Sequence, residues 1–543
     1  MRRASRLLVA VAVLGATVAL AAPRGSIATE TAPLWIKHIQ KYSGGISNGV
    51  RQMVSVETQR VGKPSTSSAA TARQHAGNRH LRNVQMNDNS YPPLPQNETA
   101  VAYSTDNPMV AVAASNDYVS GGNTVMRTRD GGRHWATLRV NPQFRGTGDF
   151  CTGGDPAVAY SSRDHAFYMT QLCFFRSQSY SEIHLFKSVN GGKTWNPGRQ
   201  RALVASNFDY ASGEVDPTVF HDKEYLTVDN YPASSHYGRI YITWTKFHFL
   251  PDGFGDYCPI QLAYTDNVPT TNPALTTFQH SQVVPDNPGG DGLGESANQF
   301  SVPVVEKNGD LDISYVIEDC NSSRDFGLRF QKSTDGGTSF LPQPVTVNHP
   351  GEWADNPNPG DVLPPKKFRT PETESLAYSR KTGTLIYTEQ NYIDAANSGM
   401  NISYWLSHDG GLTWSAAKTL SVDNAGQPAP NDQFFAWVAA APNGTFHVIW
   451  LDNRLDPENR WIDTWQATSK NDGSTWKTFR ISTESWNPDW GFFTSGAFIG
   501  DYTGIAASNH VVYPVWPDGR NTKFFETGIG NTNIETNVEI GEG

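Results

Sequence analysis

The sequence predicts an all-β fold of many short strands joined by tight turns. Three observations predict it: the composition, a turn signature that recurs along the chain, and a second, polar-led repeat upstream of each turn. Across 543 residues there are 48 Gly and 34 Pro, too dense a punctuation for a helical bundle or coiled coil. The 15 Trp, 21 Tyr and 26 Phe carry too much apolar surface for a chain that stays disordered in water. Such a length fits about three average domains or one large domain built from repeats.

Taken in order, Met1–Ala22 reads as a signal peptide. Arg2, Arg3 and Arg6 form a basic start, Leu7–Ala22 is apolar, and Ala19-Leu20-Ala21 fits small-x-small cleavage. The apolar run falls short of the roughly 20 residues that span a bilayer. No second run of that length follows, so a secreted, extracellular chain with no membrane span after cleavage is expected. Residues 23–91 read as an N-terminal segment and flexible linker. Within them Leu34–Tyr42 suits a short helix, and Met53–Val61 alternates like a strand suited to closing a sheet begun elsewhere. Gly62–Tyr91 has the Ser, Thr, Ala, Asn and Arg content of a linker.

Residues 92–543 repeat. Five segments share one signature: Thr128–Trp135, Ser188–Trp195, Ser333–Phe340, Ser407–Trp414 and Ser469–Trp476. Each runs from a hydroxyl residue through Asp or Asn and Gly to a closing aromatic. Gly supplies positive φ, and Asp or Asn bonds its own backbone. The closing aromatics lie 60, 145, 74 and 62 residues apart, so the long gap spans two periods. This signature resembles the Asp-box, or BNR repeat, of the sialidase superfamily. The resemblance implies a β-propeller in which each box joins the third and fourth strands of a blade, on the rim away from the active site.

The second repeat is a polar residue opening a β-rich run. It starts at Glu98, Asp155, Asp216, Gln299, Glu374, Gln433 and Asp501, and a further strand follows each start. Seven starts favour seven four-stranded blades, with six as the alternative, since sialidases have six. In a propeller the first strand lines the channel, so these starts converge on one mouth with the ends of the second strands. Two of those ends repeat: Trp450-Leu451-Asp452-Asn453-Arg454 and Trp516-Pro517-Asp518-Gly519-Arg520. Converging carboxylates, guanidinium forks and aromatic faces suit an anionic sugar. The same residues also suit backbone caps and internal Asp–Arg salt bridges.

A formal net charge of −10 gives nucleic acid little to bind, and a monomer is expected. The blade map puts all four Cys in loops on one face, and export favours two disulfides, Cys151–Cys173 and Cys258–Cys320. No cofactor is expected. Asp286–Glu295, with Asp286, Asn287, Asp291 and Glu295 among Gly and Pro, is a candidate for Ca²⁺ without an EF-hand pattern.

The sialidase resemblance implies three Arg on the substrate carboxylate, a Tyr nucleophile activated by Glu, and an Asp acid/base. A neutral phenol approaches an anionic sugar without repulsion. On the predicted face, Arg454 and Arg520 are the carboxylate clamps and Arg369 is the third. Asp452, Asp518 and Asp501 complete the binding set. Tyr502 is the nucleophile, Glu374 its base and Asp155 the acid/base, with Asp149 as a substitute. The family's aromatic-Arg-Ile-Pro motif is absent from this sequence. Three functions follow: a sialidase-like glycoside hydrolase acting on terminal sugars of glycoconjugates, a non-catalytic propeller that binds glycans or proteins, and a propeller hydrolase or lyase of different sugar specificity.

Overall fold

The computed structural model describes residues 32–42, 45–47, 49–51, 82–88 and 95–520, apart from 119, 146, 196–200, 291, 394–398 and 491–495. It also describes the backbone of 533–537 and 539–540. The signal-peptide segment and Met53–Val61 lie outside the described residues.

Among the described residues, six antiparallel sheets built on four-strand paths are each cut from one continuous stretch of chain in simple up-and-down order. Their first strands are Gln96–Ser104, Ala157–Ser161, Val219–Val228, Asn298–Val305, Ser375–Tyr378 and Gln433–Ala440, here blades 1 to 6. Each first strand packs against the next, and Gly504–Ala507 packs against both the sixth and the first, so the ring closes as a β-propeller. The Val, Ile and aromatic positions of the second and third strands are buried between neighbouring blades.

The favoured count of seven blades, each of four consecutive strands, is corrected. Six sheets are of that kind. The chain that opens at Asp501 supplies Gly504–Ala507 and Val511–Asp518, and the next strand, Asn533–Asn537, pairs with Asn83–Gln85. A sheet assembled from both ends of a chain removes the open edges that a ring would otherwise leave. Its closing strand comes from the stretch expected to be linker.

The five signature turns share one hydrogen-bond pattern. The leading hydroxyl lies 2.8–3.1 Å from the Asp or Asn side chain, and the Gly four residues on donates its N–H to that hydroxyl at 2.8–3.0 Å. The Asp or Asn oxygen takes a further backbone N–H at 2.9–3.0 Å. These turns join third to fourth strands, so they lie at the end opposite the starts of the first strands. Both disulfides form as paired above, Cys151–Cys173 and Cys258–Cys320.

Candidate functional site

The first strands share a distortion at their starts. Register breaks fall between Asn97 and Ala100, Asp222 and Tyr225, Gln299 and Val302, and Phe434 and Trp437. Inside each break one non-glycine residue is left-handed: Glu98, Lys223, Phe300 and Phe435, with φ of 50–58°. An extra residue in one strand re-aims the side chains beside it. Here the bulges gather buried polar side chains around the axis, where strict alternation would have sent some of them into the blades.

Tyr502 sits in that cluster, 1% exposed, with its hydroxyl lacking a hydrogen-bond partner. Its ring lies 5.9 Å from Trp437, and the Lys223 ammonium is 4.0 Å from its centroid. Burial pushes the phenol well above its ordinary pKa, and the nearby Asp155, Glu98, Glu224 and Asp501 carboxylates push it further. Asp155 and Glu98 are fully buried and face each other. Asn116 braces both: its amide nitrogen donates to Glu98 Oε2, and its carbonyl accepts the Asp155 N–H at 2.7 Å. Among the described residues, Glu98 Oε1 and Asp155 Oδ1 have no hydrogen-bond partner. Burial, then the Asp155 charge, drives Glu98 well up; burial raises Asp155 as well. Glu224 is driven up by burial and by Asp155, with neither oxygen bonded.

The mouth above these acids is filled by the chain's own N-terminal segment. The expected helix forms at Leu34–Lys41. Its Trp35 packs on Phe174 and Phe220 with ring centroids 5.4 and 5.0 Å away, and His38 Nδ1 lies 3.0 Å from the Gly253 carbonyl. Past the helix, Gly45 N–H donates to Glu318 Oε1 at 3.1 Å, and its carbonyl accepts from Gln299 Nε2 at 3.1 Å. Ser47 N–H donates to Asp222 Oδ2 at 2.5 Å. Its hydroxyl lies 3.0 Å from Asp155 Oδ2 and 3.2 Å from Asp222 Oδ1. Arg51 folds back onto the Tyr42 and Ile46 carbonyls at 2.7 and 3.2 Å. Two glycines permit this approach. Gly45 is left-handed, with φ +82°, and a Cβ there would meet the Cys320 carbonyl at 2.4 Å. A Cβ on Gly49 would lie 2.5 Å from Glu98 Oε2 and 2.9 Å from Asp155 Oδ1.

The expected site residues divide into two groups. Tyr502, Asp155, Asp501 and Arg369 come together at the axis. Arg369 grips Asp501 with two bonds, Nε–Oδ1 at 3.2 Å and Nη2–Oδ2 at 2.8 Å, and its Nη1 has no partner. Burial opposes the Arg369 charge, but Asp501, Glu318 and Asp361 together outweigh it and hold the guanidinium protonated. Glu374 borders the cluster, accepting from Ser314 Oγ at 3.2 Å, and burial pushes it well up. Its charge is absent from the leading influences on Tyr502, where Asp155, Glu98 and Glu224 stand instead.

Arg454 and Arg520 do not join them. Arg454 Nε reaches back to Asp452 at 2.8 and 3.0 Å, its Nη1 holds the Val422 carbonyl at 2.9 Å, and its guanidinium lies 3.9 Å from the Trp465 ring centroid. Arg520 Nε lies 3.0 Å from both Asp518 oxygens, and its other nitrogens hold Thr483 at 2.6 Å and Asn83 at 2.9 Å. Trp450 and Trp516 donate their indole N–H to the same Asp452 and Asp518. The repeated motif is therefore an internal staple, and the three expected clamps do not converge on one point. Asp149 is in an exposed loop, where its carbonyl accepts the Phe144 N–H at 2.9 Å and its own N–H donates to Thr147 Oγ1 at 3.2 Å.

Sequence reading missed Asp222, Lys223, Glu224 and the strap residues Ser47 and Gly49. The signal was present in His221-Asp222-Lys223-Glu224, four polar residues inside a strand. Two acids of the expected Ca²⁺ loop are engaged elsewhere, Asp286 with Lys246 at 3.1 Å and Glu295 with Arg329 at 2.9 Å, and Asp291 lies outside the described residues. A grouping able to hold a cation occurs instead at Asp325, Asp355 and Glu372, whose oxygens lie within 4.8 Å of one another. Cys173, Glu182 and His184 also cluster, but that Cys is in a disulfide.

The buried acids set a pH dependence. Burial and the Asp155 charge raise Asp222 to about 7, and burial raises Glu318 to about 8. Between pH 7 and 8.5 the folded state still binds protons that the unfolded carboxyls gave up near pH 4. Stability therefore falls as pH rises through this window. Buried His221 and His248, lowered to about 3 and 4, act in the opposite sense, but the unfolded imidazoles have nearly finished titrating by pH 7. Melting temperature should drop from pH 7 to 8.5; a flat or rising profile contradicts the assignment.

No protein-family description matches the chain, and no curated protein matches it. Solved structures do. A protein of unknown function from Dyadobacter fermentans DSM 18053 is 14% identical, with 74% of this chain and 97% of that one covered, at a TM-score of 0.43. The Hadza microbial sialidase Hz136 is 12% identical over 79% of this chain and 73% of its own, at 0.41. The GH93 alpha-L-arabinofuranosidase of Fusarium graminearum is 12% identical over 84% of this chain and 96% of its own, at 0.41. A sialidase and an arabinofuranosidase are thus among the structures this chain is similar to.

Proposed function

We propose that the chain is an exported, monomeric glycoside hydrolase acting on terminal sugars, with its active site at the channel mouth beneath the N-terminal strap. The observation that carries this reading is the Tyr502 hydroxyl, unpartnered among the described residues, beside the buried Asp155 and Glu98 carboxyls. Glycosidic cleavage needs a nucleophile, a base to take its proton and an acid for the leaving oxygen. Tyr502 attacks the anomeric carbon as Asp155 takes the phenolic proton, and Glu98, held protonated by burial, protonates the departing oxygen. Water then displaces the sugar from Tyr502 and gives its proton to Glu98, while Asp155 returns the phenolic proton to the departing Tyr502 oxygen.

A panel of 4-methylumbelliferyl glycosides tests this. Tyr502→Phe and Asp155→Asn should each lower kcat by about 10²–10⁴-fold, with KM little changed. Full activity in Tyr502→Phe, or no turnover of any glycoside once the strap is loosened, rejects the reading. A filled mouth also favours a second reading, glycan binding without catalysis, and saturable glycan binding with no turnover would mark it.

A further inference from the structure

A second group of acids lies where blade 4 passes into blade 5. Asp325 opens the third strand of blade 4, Asp325–Ser333, and Asp355 sits in the connection to blade 5. Glu372 stands just before the first strand of that blade, Ser375–Tyr378. One carboxylate oxygen from each lies within 4.8 Å of the other two. Oxygens held by a single Ca²⁺ at about 2.3–2.6 Å are at most about 5 Å apart, so one ion can reach all three.

These acids lack the donors that would account for their burial. Glu372 is fully buried; its Oε1 accepts the Asn356 N–H at 3.3 Å, and its Oε2 has no partner among the described residues. Asp325 and Glu372 meet carboxyl to carboxyl, an approach that supplies no donor unless one of them carries a proton. Asp355 Oδ2 accepts the Asp325 N–H at 3.3 Å, and its Oδ1 is unpartnered in the same sense. A fourth acid, Asp361, is 2% exposed with its Oδ1 unpartnered, and the carboxyl charges acting on it most strongly are those of Glu372 and Asp355. Carboxylates gathered in this way need positive charge. Of the cations that act on them, Arg369 is committed to Asp501, and Arg324, beside Asp355, is exposed.

We propose that Asp325, Asp355 and Glu372, with Asp361, form a calcium site that pins the loop carrying Arg369. An all-carboxylate set drawn from a strand end and a long connection suits Ca²⁺ better than Mg²⁺, which asks for a near-ideal octahedron and keeps its waters. Asp361 and Glu372 stand at the base of that loop: the Asp361 carbonyl accepts the Thr370 N–H and hydroxyl, each at 2.9 Å. An ion holding both acids fixes the segment between them, and with it the two-pronged grip of Arg369 on Asp501. The site stands whether or not the mouth hydrolyses glycosides.

The full chain, stripped with EDTA and then exchanged into metal-free buffer, tests this by calorimetric titration with CaCl₂ and by thermal melts. A single Ca²⁺ should bind, with a dissociation constant of roughly 10⁻⁶–10⁻⁴ M. Millimolar Ca²⁺ should raise the melting midpoint by several degrees, and equal Mg²⁺ should do far less. Glu372→Gln and Asp355→Asn should each weaken binding at least tenfold. In EDTA neither should melt appreciably below wild type, because each removes a charge that no ion is offsetting; an ordinary structural acceptor would cost stability there. If Glu372→Gln fails to fold, Asp355→Asn, at a half-exposed position, decides the matter alone. Asp286→Asn, in the other acidic loop, should leave the response unchanged. The inference is overturned by a wild-type chain that binds no Ca²⁺, by a Mg²⁺ response equal to that of Ca²⁺, or by a Ca²⁺ response retained in Asp355→Asn or lost in Asp286→Asn.

Discussion

Replacing Arg369 with alanine is expected to cost about 3–5 kcal/mol of folding stability, the usual penalty for breaking a buried ion pair from one side. Asp501 is fully buried and loses both guanidinium bonds in this variant. Neighbouring Glu318 and Asp361 lose a compensating charge too, since Arg369 lowers the pKa of each. The effect should therefore exceed that of removing an exposed partner such as Asp88, paired with Arg139, where solvent screening leaves about 1 kcal/mol or less. Arg369→Lys should fall between, because a point charge replaces a two-pronged fork. Urea midpoints at constant slope measure the loss. An unshifted midpoint for Arg369→Ala would show that the pair contributes nothing to the ring.

Replacing Gly49 with leucine is expected to expel the strap. The first added carbon already lies 2.5 Å from Glu98 Oε2, 2.9 Å from Asp155 Oδ1 and 3.0 Å from Asn116 Nδ2. Those three groups brace one another and cannot all retreat. Overpacking of this kind costs about 1–3 kcal/mol, which shifts the docked-to-free ratio by roughly 5–150-fold. Trypsin cleavage after Arg51, whose guanidinium is held on the Tyr42 and Ile46 carbonyls while the strap is docked, should accelerate by that factor when read by mass spectrometry, and turnover should rise with it if the site is catalytic. Since the clash falls on the strap and not on the ring, the melting transition of the blades should change little. A wild-type cleavage rate in Gly49→Leu would mean that the strap does not depend on this contact.

Much of the architecture was legible because its causes are local. The five signature turns need only Gly at positive φ and a side chain bonding its own backbone four residues away. The seven polar starts could be read because each opens a strand, and placing strand starts on one face brought Asp155, Asp501 and Tyr502 together. The two disulfides followed from the same map. The motif at Asp452 and Arg454 was equally visible, yet its meaning was not. A spacing of two lets the guanidinium reach its own carboxylate, and only coordinates distinguish that staple from an arginine aimed at a ligand.

Other features had no local cause. Glu224 joins the axis because a bulge shifts the register between Asp222 and Tyr225. The closing partner of the last sheet lies more than four hundred residues away in the chain, at Asn83–Gln85. What the sequence by itself determined was a ring of repeated antiparallel units with an acid-lined mouth, because turn chemistry and strand alternation act over a few neighbouring residues. What only the tertiary structure decided was the use of that mouth: which acids are buried together at the axis, which arginines are already committed, and that residues 45–47 and 49–51 lie across it. Those outcomes depend on distances between side chains from separate blades, which no spacing along the chain encodes.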